Sequence, residues 1–437
     1  MANIKIKLVI LLVVLIFAFL TVPAYAENSK IINNSTYGLK NVTTSPITVT
    51  NTTKVYTITP NTKPCSKQVL KYTTYNKYTK NYYTLITYMQ KFEKYGGGTL
   101  ILKKGTYTIS NTIPIPSNVN LILEDGVIIN KGAVTGTKKF TASESIFKLV
   151  PPSKLKKSGI YSKYNGVKNV NIIGKGTAVI NLRYVKNTIA LVCGHNKNIQ
   201  LQGITFLNVN CGHFIELDAT NGMKISNCKF MGSKPSSKLD AEAINLDTPD
   251  RNTQGFHAVW STYDKTPDYN IIIENNIFKG LDRAIGTHKY SQVKTNGKYI
   301  VNKGQKYHTK IIIRNNIITN TRCDAIRILN WKDSQITNNY IADVTKNSHN
   351  YRAICASGAV NLTIKYNYLT SMNRPIEILP TKNTGTGWMY SITYNNITHA
   401  NIADMKYNYC IRVADNYARI TYKYKDYRNT RKIYLLT

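Results

Sequence analysis

The sequence predicts an all-β solenoid, a chain wound into stacked coils, and three observations predict it. The first is a recurring segment. "NVNIIGKGTAVI" at 169, "NIQLQGITFLNV" at 198, "GMKISNCKFMGS" at 222 and "NIIIENNIFKGL" at 270 are followed by "KIIIRNNIITNT" at 310, "DSQITNNYIADV" at 333, "NLTIKYNYLTSM" at 361 and "SITYNNITHANI" at 391. Each is a short β-rich strand, a polar turn with Asn, and a second short strand. Offsets of 24, 48, 40, 23 and 28 residues between the middle members give a unit near 24 with inserts, a period at which each unit closes its core by stacking on its neighbours. The second observation is that Asn275-Asn276, Asn315-Asn316 and Asn338-Asn339 fall at equivalent places. Asn tolerates left-handed backbone and its amide can bond the copy above, so a structural Asn ladder is expected at the turn. The third is a set of aligned strands after those turns, taken up below.

In chain order, Lys5 and Lys7 precede an apolar run, Leu8 to Leu20, that ends in Ala24-Tyr25-Ala26. Residues 1–26 therefore read as a secretory signal peptide, and the mature chain as secreted or surface-associated, with no membrane insertion after cleavage. Residues 27–62, rich in Asn, Thr and Ser, are expected to be a flexible lead-in; N-x-S/T sequons stand at Asn33, Asn34, Asn41 and Asn51. Leu85, Ile86, Met89 and Phe92 have helical spacing and stop at Gly96-Gly97-Gly98, which predicts one short amphipathic capping helix. "GGGTLILKKGTYTIS" and "NVNLILEDGVII" then read as strands opening a solenoid over residues 63–400. Residues 401–437, basic and Tyr-rich, are expected to be a last rung or cap.

Composition narrows the partners. Lys and Arg number 58 against 22 Asp and Glu, a formal charge of +36. In an exported protein that excess points to an anionic or cell-envelope glycan and away from nucleic acid. The seven cysteines are scattered, form no CxxC pair and are odd in number, so no zinc site and no full disulfide framework is expected. A solenoid that completes its own core is expected to be a monomer.

With the entry segment after a capping helix and the Asn-bearing repeats, the chain resembles the pectate-lyase-like superfamily of right-handed parallel β-helices over about residues 65 to 400. The resemblance implies a single-stranded right-handed parallel β-helix. It implies little about chemistry, since the fold carries lyases, hydrolases, isomerases and adhesins. The hydrolase signatures of the superfamily have only echoes here, "NLD" at Asn245–Asp247, "GTH" at Gly286–His288 and "RIL" at Arg327–Leu329, without an adjacent Asp-Asp pair.

"DAEAINLDTPD", Asp240 to Asp250, gathers four of the scarce acids in eleven residues. Its strand aligns with Phe214–Asp218, Ala284–His288, Ala325–Leu329, Ala353–Ser357 and Pro375–Leu379. Strand side chains alternate, so the apolar second and fourth positions face the core and the third and fifth face outward. The fifth column places Asp218, Asp247 and His288 on successive rungs. The third places Glu216, Asn245, Gly286 and Arg327 on successive rungs, with Glu242 and Asp324 at strand entrances. Paired carboxylates split their proton affinities, which suits a general acid and a general base on a glycosidic bond. Candidate catalytic residues are thus Asp247, Asp218, His288, Arg327 and Glu242. Arg327 could hold a sugar carboxylate. No cofactor is required for hydrolysis; Ca²⁺ on the acids, with Arg327 or His288 as base, would serve a lyase. Two inserts follow the strands ending in Asp247 and His288, at one corner, and can wall a cleft. The first brings His257, Trp260, Tyr263 and Asp264, and Trp331 follows the Arg327 strand. Glu216, Asn245, Trp260, Tyr263, Asp264, Asp324 and Trp331 are the candidate substrate-binding residues, the aromatics by stacking on sugars.

The sequence therefore points to an exported carbohydrate-active enzyme cutting an anionic or cell-envelope polysaccharide by acid–base hydrolysis. A polysaccharide lyase on the same cleft is one alternative. A non-catalytic surface adhesin or wall-binding protein is the other, and suits the Asn/Thr-rich lead-in, the 32 tyrosines and the positive charge.

Overall fold

The computed structural model describes residues 54–238, 240–345 and 351–437. The expected signal peptide and the lead-in up to residue 53 lie outside the described residues, as do the four sequons. Three long sheets dominate, of ten, eleven and ten strands, and successive strands of the chain visit them in turn. One coil runs Lys197–Gln202, Thr205–Asn210, Ile215–Asp218; the next runs Asn221–Ser226, Lys229–Lys234, Glu242–Asp247. Equivalent strands of neighbouring coils pair in parallel, as Ile199 with Met223 and Leu217 with Leu246. This is a right-handed parallel β-helix of three faces, called here the first, second and third sheets in chain order.

The core is a continuous apolar column from Ile58 to Leu435. Ile, Val and Leu at alternate positions fill it, and like side chains stack from rung to rung. Phe206, Phe230 and Phe278 lie face to face at centroid distances of 5.0 and 4.8 Å. Equivalent positions meet like neighbours because the rungs repeat in register, so the period in the sequence becomes a stack in space.

The Asn pairs do two jobs at the turn from the first sheet to the second. Asn275, Asn315 and Asn338 adopt φ of 58, 55 and 57°, the left-handed corner. Asn276, Asn316, Asn339, Asn367 and Asn408 point inward, each Nδ2 donating to the next Oδ1 at 2.8–3.0 Å. The ladder is buried, and its amides also satisfy backbone groups, as Asn316 Nδ2 does by donating to the Ile273 carbonyl.

The helix α1, Lys80–Tyr95, forms where predicted and puts Leu85, Met89 and Phe92 into the core. It ends at Gly96, φ 76°, and Gly98 has no Cβ because the Phe92 ring fills that space. One boundary moves. The lead-in was expected to be flexible to residue 62, yet Val55–Ile58 pairs in parallel with Thr99–Leu102 and lengthens the first sheet. Ile58 is buried and Tyr56 packs on Tyr88 and Phe92, which is enough apolar area to hold the strand. At the other end Tyr409–Val413 and Tyr417–Thr421 add a rung, and Thr430–Tyr434 turns back antiparallel on the third sheet.

Candidate functional site

The third sheet carries the site. One of its outward columns is continuous by strand register: Lys148, Val192, Glu216, Asn245, Gly286, Arg327, Cys355, Glu377 and Arg419. The neighbouring column pairs Gly194, Asp218 and Asp247. The predicted juxtaposition of Asp218 and Asp247 is therefore present.

The two inserts, residues 248–268 and 287–307, leave the helix at one corner and wall a cleft of about 510 Å³ over this face. Glu216, Asn245, Asp247 and His288 line it, as do Lys148, His213, Asp240, His257 and Lys289. The inserts are pinned from outside by the hairpin Thr381–Gly385 and Trp388–Thr393. Tyr390 from that hairpin donates to Asp250 of the first insert, and the Tyr290 hydroxyl of the second insert donates to the Ser391 carbonyl at 2.7 Å.

Asp218, Glu216 and Asp247 are outward-facing but covered, at 0, 5 and 2 % exposure. Asp218 lies beneath the cleft and does not line it; Phe256 closes over its neighbour Gly194. Neither Asp218 oxygen has a hydrogen-bond partner among the described residues. Burial, then the charges of Glu216, Asp247 and Asp268, push its carboxyl well above the ordinary range. Glu216 is pushed up in the same way, by burial and then by Asp247, although Asn245 Nδ2 donates to it at 3.2 Å. Asp247 is raised by burial, against the opposing pull of His288 and of the Lys289 amide. All three carboxyls therefore hold their protons to higher pH than an ordinary carboxyl does.

Asp247 and His288 meet differently from the expected stacking. Strand pairing stops at Asn245–Gly286, and the backbone N–H groups of His288 and Lys289 both donate to Asp247 Oδ1 at 3.1 Å. The carboxylate thus caps the start of the second insert, and the His288 ring turns instead to Glu242, Nδ1 to Oε2 at 3.5 Å. That contact, against burial, raises the His288 pKa.

Glu242 is a correction. It is fully buried and ion-paired with Arg283. Burial alone would raise its carboxyl, but Arg283, with His288 and His213, outweighs that and holds it below the usual range. The physical reason is a bulge at the strand entrance: Ala284 and Ile285 amides both donate to the Ala325 carbonyl, and both side chains enter the core. The residue before them, Glu242, Arg283, Asp324 or Arg352 in successive coils, turns outward, and acids and bases alternate. Asp324 is accordingly held by Arg352 at 3.1 Å and Arg327 at 3.4 Å, and it does not line the cleft. Arg327 reaches only Asp324 and the Cys355 sulfur, three rungs from Glu216 and off the cleft, so it is not placed to hold a bound sugar's carboxylate there.

The aromatic candidates are also moved. Trp331 is fully buried in the core with its indole N–H donating to Thr287 at 2.8 Å, because its strand opens one residue earlier than the repeat suggests. Trp260 is 2 % exposed, packed with Val150, Val192 and Phe256. Tyr263 stacks under Arg251 at 4.4 Å, and Asp264 accepts from the amides of Lys163 and Thr266 to shape a loop. None of these four lines the cleft. Lys148, His213 and Lys289 do, and were not among the candidates. Lys148 was legible in principle: "SIFK" is one more third-sheet strand, hidden because its coil lacks the Asn turn.

Among the described residues no group of three or more His, Cys, Asp and Glu is arranged to hold a metal ion. The described cysteines are all unpaired, and no described helix is long and apolar enough to cross a membrane.

The chain has the right-handed parallel β-helix fold. No family model matches it. It is similar to plasmin and fibronectin-binding protein A of Streptococcus pneumoniae (strain ATCC BAA-255 / R6), 25 % identical over 309 residues, which are 65 % of this chain and 40 % of that protein. The chain thus spans less than half the length of this curated relative. Among solved structures it is similar to the Streptococcus pneumoniae surface protein and adhesin PfbA, with a TM-score of 0.52 and 16 % identity over 76 % of this chain and 85 % of that one. A tailspike protein of E. coli bacteriophage HK620, solved with a hexasaccharide, gives a TM-score of 0.39 and 16 % identity over 76 % of this chain and 63 % of that one.

Proposed function

We propose that the chain is a secreted or surface-associated adhesin that binds a glycan in the cleft over Glu216, Asn245 and Asp247. The observation that carries this is the cleft itself: a walled groove of about 510 Å³ whose floor is a row of amide and carboxyl groups on successive rungs. Such a row suits a sugar chain. Asn245 both donates and accepts, and the raised carboxyls can donate as acids where ionised ones could only accept. The similarity to a plasmin and fibronectin-binding protein, and to a structure described as a surface protein and adhesin, supports the adhesin class. The signal-like first 26 residues support export.

Glycoside hydrolysis is the second reading, favoured by one observation. Glu216 and Asp247 stand one rung apart in adjacent columns of the cleft with proton affinities raised unequally. One of the two would be the acid and the other the base. Of the two bases named for a lyase, Arg327 is off the cleft and His288 lines it with its Nδ1 turned to Glu242, so the lyase variant has less support.

The test is binding of the purified mature chain to an immobilised glycan panel, with release of reducing ends followed in parallel. Adhesin behaviour is retained binding without new reducing ends, weakened by Asn245→Ala. Reducing ends abolished by Glu216→Gln would replace it with hydrolysis. Absence of binding to any glycan of the panel refutes both.

A further inference from the structure

Lys148 closes the strand Ser145–Lys148 and lies in the same outward column as Glu216, two rungs away through Val192. That is about 10 Å along the helix axis. Its ammonium lies 5.5 Å from the centroid of the Trp260 ring, half-buried in the cleft wall. Of the other basic side chains that line the cleft, His257 is exposed on the first insert and three are engaged. Lys289 donates to the Thr253 carbonyl at 2.6 Å, His213 to the Glu242 carbonyl, and His288 faces Glu242. Lys148 has neither a hydrogen-bond acceptor nor an ion-pair partner among the described residues, and the buried indole beneath it shields one side from water. Burial lowers its pKa, with Glu144 pulling the other way, which is the mark of an ammonium short of a counter-charge.

We propose that Lys148 is the anion-recognising residue of the cleft and that the glycan it takes is acidic, a sugar bearing a carboxylate or a sulfate group. This rests on the glycan-binding reading above. The cleft is polar along its length: an unpaired ammonium at one end, apolar Val192 in the middle, and Glu216, Asn245 and Asp247 at the other. A bound chain would seat its acid group on Lys148 and hydroxyls on the far end. Carboxyls with raised proton affinity repel such a ligand less than ordinary ones would, and Lys148 lies two rungs, about 10 Å, from the nearest of them. The role foreseen for Arg327 is filled from the opposite end of its own column.

The experiment is calorimetric titration of the mature chain with three probes: an oligogalacturonate, a sulfated carrageenan oligosaccharide, and a neutral xylo-oligosaccharide. The same titrations are run on Lys148→Met and Lys148→Arg, with thermal unfolding to establish that both variants fold. The wild type is expected to prefer one acidic probe, and which one identifies the acid group. Lys148→Met should bind that probe about ten- to a hundred-fold more weakly, the loss of one charge-assisted contact, with neutral-sugar binding unchanged. Lys148→Arg should restore most of the affinity. Equal affinity of the wild type for neutral and acidic probes, or undiminished acidic binding in Lys148→Met, overturns this assignment and leaves the glycan-binding reading standing. No binding of any probe by the wild type overturns both.

Discussion

Replacing Asp218 by Asn tests the electrostatics of the site without touching the cleft surface. Asp218 is fully buried, and its carboxyl is pushed well above the ordinary 3.8 by burial and by Glu216 and Asp247. Between that ordinary value and the raised native one, the folded chain binds one proton that the unfolded chain has released. A raised acid stabilises the fold fully at low pH, and the contribution is lost as pH rises through the native value. For one such proton the loss is about 1.4 kcal/mol per pH unit. Glu216 and Asp247 act with the same sign, and His288, raised by Glu242, adds a further loss above its ordinary 6.5. Glu242, held low, works oppositely, and its stabilisation disappears only as pH falls below its ordinary 4.5. The wild type should therefore be most stable on the acid side, where Glu242 is still ionised, and weaken as pH rises. Asp218→Asn removes one proton from this balance. Its absolute stability also carries the cost of a buried amide with unmet donors, about 1–3 kcal/mol. The slope is free of that cost. Urea unfolding at pH 5, 5.5 and 6, followed together by far-ultraviolet circular dichroism and aromatic fluorescence, should show the variant gaining on the wild type as pH rises, by at most about 1.4 kcal/mol per pH unit. Equal slopes in the two proteins would refute the assignment of a buried, protonated Asp218.

Two structural predictions follow from the same face and from the ladder beneath it. Asn316→Ala removes four hydrogen bonds at a site 1 % exposed and orphans the Asn276 amide and the Ile273 carbonyl, so it should cost about 3 kcal/mol or more in denaturant unfolding. Arg283→Met leaves Glu242 buried without its main counter-charge and should cost about 3–5 kcal/mol at pH 7; adding Glu242→Gln should recover most of it.

The fold was legible because a solenoid writes the same constraint many times. Core positions of the second and fourth kind, such as Ile215, Leu217, Ile244 and Leu246, sit on top of one another, and the Asn pairs solve one turn repeatedly. Each repeat confirms the register of the last. Segments without partners in the pattern were misjudged for that reason. Val55–Ile58 looked like lead-in because its coil is incomplete, and Trp331 looked like a loop aromatic because its strand begins before the repeat does.

For the site, register was readable and environment was not. Alternation placed Glu216, Asn245 and Asp247 correctly on the outer face, but the outer face is not the solvent. The first insert follows Asp247 directly, the second meets Asp247 from 41 residues on, and the Thr381–Thr393 hairpin reaches Asp250 from 140 residues away, a contact that no local pattern announces. The bulge added a second error by turning the entrance residues outward as well. A rule survives that the sequence could have supplied. Glu242 is answered by Arg283 on the next rung, and Asp324 by Arg352; these acids are structural because each has a base above it. Glu216 and Asp218 are followed by Asn245 and Asp247, with no Lys or Arg in either place. Leaving acids unanswered on a buried face costs stability that the paired rungs avoid, and a chain with 58 basic residues had no shortage of cations to place there. The rungs of Glu216 and Asp247 are where buried acids have no Lys or Arg on the next rung, Glu216 facing His213 at 3.6 Å and Asp247 two backbone amides, and it is over those rungs that the cleft opens.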